Sequence, residues 1–263
     1  MNPGKDLIIK VIIFEKLSDL HQYCADTFVN QIKLKKDSVL GFATGVSPLD
    51  TYKLLVDDYQ KNNRDWSQIT TFNLDEFVGI DPNHREAFIA QMSNNLFKHL
   101  NINPKNINIP SSIAANPEQE ARDYENKIRA IGGVDLQYIS LGVNGHMAYN
   151  EPGTDFNSNT HVANLTQDTI IDMVNKGKFA TFFDSPAQAI TVGIQTLLNY
   201  TKKAMMVSFG LSKAEVTRAM LEDKPNSKVT ASYLQLHKDC VFILDNEAAS
   251  LLSEKTLKLA ERR

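Results

Sequence analysis

The chain has 263 residues, 42% of them hydrophobic and 22% charged, with a formal net charge of -3 at neutral pH. That balance is ordinary for a globular protein and provides no large basic field, which argues against a nucleic-acid partner. No apolar run approaches the roughly 20 residues of a membrane span, and residues 1–14 lack the small-residue cleavage site of a signal peptide, so the expectation is a cytoplasmic protein with no membrane partner.

The two cysteines fit that compartment. Cys24 falls on a helical apolar stripe and Cys240 opens a strand-like run, both positions where cysteine behaves as a small hydrophobe. The six histidines are scattered, with no HExxH and no Cys/His pair at zinc spacing, so no metal is expected.

In chain order, residues 7–14 form a short apolar run, and Leu17, Leu20, Cys24, Phe28 and Ile32 then share one face of a 3.6-residue period. The pattern predicts a strand and then a helix. It repeats with a strand at 39–43, a helix at 48–59 with Pro48 just inside its start, and a strand at 69–73. Beyond these come a helix at 118–131, strands at 136–141 and 204–209, a helix at 212–221 and a strand at 241–244. Such alternation predicts an α/β fold, a mostly parallel sheet with helices on both faces. No repeat, low-complexity tract or Gly/Ser linker divides the chain, so residues 1–263 read as one domain.

Ligands of open α/β sheets bind outside the carboxyl ends of the strands, which directs attention to the polar residues after each one. After the second strand, Thr44, Gly45 and Ser47 lead into a helix. Backbone N–H groups and hydroxyls there can hold an anion, or Ser47 can simply cap the helix. After the third strand, Asp75 and Glu76 are adjacent carboxylates. Such a pair provides either a partly desolvated proton shuttle or a helix or turn cap. After the strand at 136–141, Asn144, Gly145 and His146 precede Glu151. A carboxylate beside an imidazole fixes its tautomer and raises its pKa, which suits acid–base chemistry near neutrality. Near the end, Ser212 reads as a helix cap, while Lys213 sits at the positive end of a helix dipole, as an anion ligand or a solvated lysine.

Together these segments resemble the glucosamine-6-phosphate deaminase/isomerase family along nearly the whole chain. The shared motifs are ATGVSPLDTY at 43–52, TFNLDEFVG at 71–79, NGHMAYNEPG at 144–153, AITVGIQTLL at 189–198, GLSKA at 210–214 and LQLH at 234–237. The resemblance implies a three-layer αβα sandwich with a Rossmann-like sheet and a lid segment near 155–185. It implies ring opening, C1–C2 aldose–ketose isomerisation and loss of the 2-amino group of glucosamine 6-phosphate as ammonia, with no metal or organic cofactor. Asp75 would move the proton between C2 and O1, His146 would open the pyranose, and Glu151 would orient His146. Thr44, Gly45, Ser47 and Lys213 would hold the 6-phosphate.

The chain departs from the family pattern at particular positions. Asn144 stands where many members have a third acid, so tuning of His146 falls to Glu151. Ser140 replaces a usual glycine, and Val46 replaces a usual Gly or Ser. Thr181, before Phe182 and Phe183, stands where the family has a phosphate-binding arginine, and Lys176 or Lys178 is expected to supply the charge. Activated hexameric members use a basic pair at the positions of His161 and Ala163, so little activation by N-acetylglucosamine 6-phosphate is expected. Galactosamine-6-phosphate deaminase/isomerase is the nearest alternative. A 6-phosphogluconolactonase typically has a Thr-Ala-Ser run after the histidine, whereas Asn150, Glu151 and Pro152 follow here. A non-catalytic sugar-phosphate sensor would carry a helix-turn-helix ahead of the domain. The assembly is expected to be a monomer or a homo-oligomer.

Overall fold

The computed structural model describes residues 9–263. The apolar runs become strands β1 (Lys10–Phe14), β2 (Val39–Phe42) and β3 (Thr70–Asn73), with helices α1 (Leu17–Leu34) and α2 (Leu49–Asn62) between them. Leu7 and Ile8, at the start of the first expected strand, lie outside the described residues. On α1 the buried residues Leu20, Cys24, Phe28 and Ile32 recur every fourth position, so one stripe faces the sheet and the rest faces solvent. Phe28 stacks on Phe42 of β2 with centroids 5.1 Å apart.

The chain continues through β4 (Asp75–Phe77), α3 (Phe88–Asn95), β5 (Ile107–Asn108), α4 (Pro117–Ala130) and β6 (Val134–Ser140). Helix α4 is well specified locally. Asn116 caps it by accepting from Gln119 N, Pro117 occupies its first turn, acids lie in that turn and Lys127 and Arg129 in the last. Then follow β7 (His161–Asn164), α5 (Gln167–Asn175), β8 (Gln188–Thr191), α6 (Ile194–Tyr200), β9 (Thr201–Ser208), α7 (Ala214–Glu222), β10 (Cys240–Asp245), α8 (Glu254–Leu259) and β11 (Glu261–Arg262).

Eight strands form one sheet in the order β11-β1-β10-β9-β6-β2-β3-β5, with every pair parallel. From β2 the chain moves outward to β3, and from β6 it moves the other way to β9 and β10. The order therefore reverses between β2 and β6, where the loops leaving neighbouring strands diverge and open a crevice. The expected parallel α/β architecture is found. No described helix is long and apolar enough to cross a membrane.

A second sheet, β4-β8-β7, is antiparallel and was not anticipated. Its strands are three or four residues long, too short for a clear alternation to show. It packs with α3 and α5 around a smaller apolar cluster that includes Phe77, Phe88, Ile170 and Phe179. Because β7 is paired in this sheet, the early part of the expected lid, 161–164, is built into the scaffold.

Two expected caps are not made. Helix α2 starts at Leu49 with Pro48 in the cap position and no side-chain cap. Pro48 has no N–H to offer and Leu49 N already donates to Val46 O, so the Ser47 hydroxyl is not drawn into capping. Ser212 lies inside a 3₁₀ turn, Leu211–Lys213, and α7 begins only at Ala214. The preceding loop is anchored instead by carboxylates, with Gly210 N donating to Asp245 and Leu211 N to Glu247.

Candidate active site

The crevice is a cleft of about 470 Å³ at the carboxyl ends of β9, β6, β2 and β3. Thr44, Gly45, Val46 and Ser47 form one wall, directly after β2. Two buried tyrosines hold this turn. Tyr52 on α2 donates its hydroxyl to Ala43 O and accepts from Ala43 N, and Tyr138 on β6 donates to Ser47 O at 3.2 Å. The positive φ of the turn, 92°, falls on Gly45, where no Cβ opposes it. Val46 has no positive φ and is 71% exposed, so the β-branched residue introduces no strain.

Asp75 and Glu76 are separated by the alternation of β4. Asp75 points into the cleft, 6% exposed. Burial, reinforced by the neighbouring Glu76 charge and opposed by Lys178, pushes its pKa up to about 8. Glu76 faces the other way and accepts from Phe77 N, Phe88 N and Ile89 N, capping the start of α3. The cap therefore falls on Glu76, which is buried, and Asp75 is the carboxylate that faces the cleft.

The loop after β6 carries the histidine. Nδ1 of His146 lies 3.3 Å from Oε2 of Glu151 and is sealed from solvent, which leaves Nε2 for a ligand in the cleft. Asn144 donates Nδ2 to the same Oε2 at 2.7 Å, and Thr169 on α5 donates its hydroxyl to Oε1. Burial pushes the Glu151 pKa up, but the adjoining His146, with Thr169 and Asn144, outweighs it and holds the carboxyl at about 2. Asn144 does not line the cleft; its contact with the site runs through Glu151. The loop is pinned where Asn150, fully buried, donates Nδ2 to Met147 O and Val192 O. That pinning holds Ala148 at φ 50°, a left-handed conformation that costs a residue with a Cβ about 1–2 kcal/mol.

Helix α5 and the residues after it close the opposite side with Thr169, Asp172, Met173, Lys176 and Lys178, and Lys213 enters from the turn before α7. Lys176 pairs with Asp172 at 2.6 Å. Burial, together with the nearby Lys176 charge, lowers the Lys213 pKa to about 8, and burial lowers that of Lys178. Thr181 is outside the cleft, bonded to Asp184, and Phe183 is 95% exposed. The cations at this wall are therefore lysines 176 and 178.

All the residues expected at the site from the sequence other than Asn144, namely Thr44, Gly45, Ser47, Asp75, His146 and Lys213, line this cleft, with Glu151 directly behind His146. Sequence reasoning missed Thr169, Asp172 and Tyr149. Among the described residues, no group of three His, Cys, Asp or Glu side chains is arranged to hold a metal ion. His21 and His237 are buried and structural, bonded to Thr51 and to Thr201 O.

The model of the family described as glucosamine-6-phosphate isomerases/6-phosphogluconolactonase matches residues 15–243. The chain belongs to this family. It is 60% identical to a glucosamine-6-phosphate deaminase of Mycoplasmopsis pulmonis, over 96% of this chain and 98% of that one, and 40% identical to one from Clostridium botulinum, over 94% and 100%. The solved structure of a monomeric glucosamine-6-phosphate deaminase superposes with a TM-score of 0.89 at 37% identity, covering 92% of this chain and all of the other. A 6-phosphogluconolactonase from Trypanosoma cruzi, at TM-score 0.73 and 19% identity over 96% and 100%, shares the fold.

Proposed function

We propose that the chain converts glucosamine 6-phosphate and water to fructose 6-phosphate and ammonia. The observation that carries this reading is that a buried, proton-holding Asp75 and a carboxylate-backed His146 open onto one cleft that also offers the turn at Gly45 and the lysines 176, 178 and 213. The turn at 43–47 and Lys213 take the 6-phosphate, and Lys176 adds charge beside Lys213. A phosphate dianion there favours the protonated form of Lys213 and offsets its burial.

His146 exchanges protons with the ring oxygen and O1 while Glu151 steadies the imidazolium, giving the open-chain aldehyde. Asp75 as carboxylate takes the proton from C2 and returns it to C1, while one proton of the 2-ammonium passes to O1. The aldehyde becomes an alcohol and C2 becomes an imine, which water converts to a ketone with release of ammonia. The cationic 2-ammonium of the incoming sugar favours ionised Asp75, so binding itself readies the base.

The test is ammonia release from a panel of glucosamine 6-phosphate, galactosamine 6-phosphate and their unphosphorylated parents. Turnover of glucosamine 6-phosphate with kcat/KM well above that of the other three is expected. Turnover of neither phosphorylated sugar overturns the assignment.

A further inference from the structure

Tyr149 lies on the His146 loop between strained Ala148 and buried Asn150, and its backbone N donates to Thr191 Oγ1 at 3.0 Å, so its side chain has a fixed point of departure. Its ring is parallel to that of Phe88 at 6.2 Å, tilted on Phe77 at 5.7 Å and 5.9 Å from the ring of His146. A phenyl group would meet every one of those packing contacts, so the oxygen is the atom that packing does not account for.

That hydroxyl has no hydrogen-bond partner among the described residues, and it is not among the polar atoms sealed from solvent. Tyr149 lines the cleft together with Asp75 and His146. Burial and the carboxylates of Asp75, Glu151, Glu76 and Asp172 around it push the phenol pKa up. The group is therefore a neutral O–H, able to donate and unable to serve as a phenolate base.

We infer that Tyr149 is a further substrate-contacting residue, whose phenolic O–H donates a hydrogen bond to O1 or O3 of the sugar at the end of the cleft shared by Asp75 and His146. This rests on the amino-sugar phosphate reading above. The turn bearing Thr44 and Ser47, with Lys213, takes the phosphate at C6, which leaves the C1–C3 end of the sugar for the side of the cleft bearing Asp75, His146 and Tyr149. A donor built into that end discriminates against sugars lacking the matching oxygen, because an unpaired polar group is then left in the complex.

The experiment measures Kd for glucosamine 6-phosphate, its 1,5-anhydro analogue without O1 and its 3-deoxy analogue, in Asp75→Asn and in Asp75→Asn/Tyr149→Phe. Binding requires no turnover, so these constants stand even if wild type releases no ammonia, the result that would sink the functional reading alone. Tyr149→Phe is expected to weaken the parent sugar about three- to tenfold, to leave one analogue unchanged, and to leave Tm unchanged within about 1 °C. Equal weakening of all three sugars, parent affinity unchanged within about twofold, or no binding of any sugar overturns the inference.

Discussion

Gly142 lies against the imidazole of His146 so closely that a Cβ there would fall 2.2 Å from both Cδ2 and Nε2. The ring is held between that Cα and the Glu151 carboxylate. A methyl group at 142 has to push the ring off Glu151 or shift the loop that Asn150 pins. Gly142→Ala is expected to cut kcat for glucosamine 6-phosphate at least about a hundredfold, in the range of general acid–base contributions. Supplying a pre-opened substrate analogue should restore much of the loss, because Asp75 is untouched. A loss of the same size on both substrates would place the damage elsewhere than in ring opening.

Asp75→Asn is expected to abolish deamination and to stabilise the fold. A carboxyl whose folded pKa is raised to about 8 contributes stability that is present below the unfolded value near 4 and is lost as pH rises through 8. The Tm of Asp75→Asn should therefore match wild type near pH 4 and exceed it by roughly 5 °C or more above pH 8. Wild-type kcat/KM should climb through pH 7 to 8 as Asp75 ionises in the free enzyme. A Tm difference independent of pH would remove the buried-acid argument.

The wall after α5 yields a charge prediction. Removing a charge-assisted phosphate contact costs about 1.5–3 kcal/mol, roughly tenfold to a hundredfold in affinity. Lys176→Ala or Lys178→Ala should lower kcat/KM for glucosamine 6-phosphate by about that factor, whereas Thr181→Arg, placed outside the cleft, should change it less than about threefold. A tenfold gain from Thr181→Arg with silent alanine variants would show that the arginine is missed after all.

Ala163 is buried with only a methyl group, and Nδ1 of His161 is engaged by Asn159 O at 2.8 Å. Neither presents a permanent cation for a second phosphosugar. Velocity curves should be unaltered by N-acetylglucosamine 6-phosphate at concentrations below those that compete at the cleft. Sigmoidal kinetics turned hyperbolic by that ligand would contradict this.

The central sheet could be read from the sequence because its strands are buried on both faces and appear as apolar runs, and because α1 carries its periodicity and α4 its cap locally. Much of the cleft was legible for the same reason, since ligands gather at strand ends. The roles of Asp75 and Glu76 could not be divided from sequence. That division depends on α3 starting at Phe88, 12 residues past Glu76, and offering its amides to one face of β4. Thr169 was invisible because it meets Glu151 across 18 residues through the placement of α5. Thr181 was placed by its offset from Phe182 and Phe183, in a stretch without periodicity that does not say which side chains face the cleft; the fold turns Lys176 and Lys178 to it and leaves Thr181 outside.

Glu76, the neighbour of Asp75, accepts from three backbone amides, so β4 and the start of α3 form one plate that carries both Asp75 and Phe88. A hexose phosphate entering or leaving gains no room on that side. The opposite side is closed by α5 and the residues after it, with Lys176 tied to Asp172, so any widening of the cleft for a sugar to enter or leave has to come from that one stretch of chain or from the turns facing it.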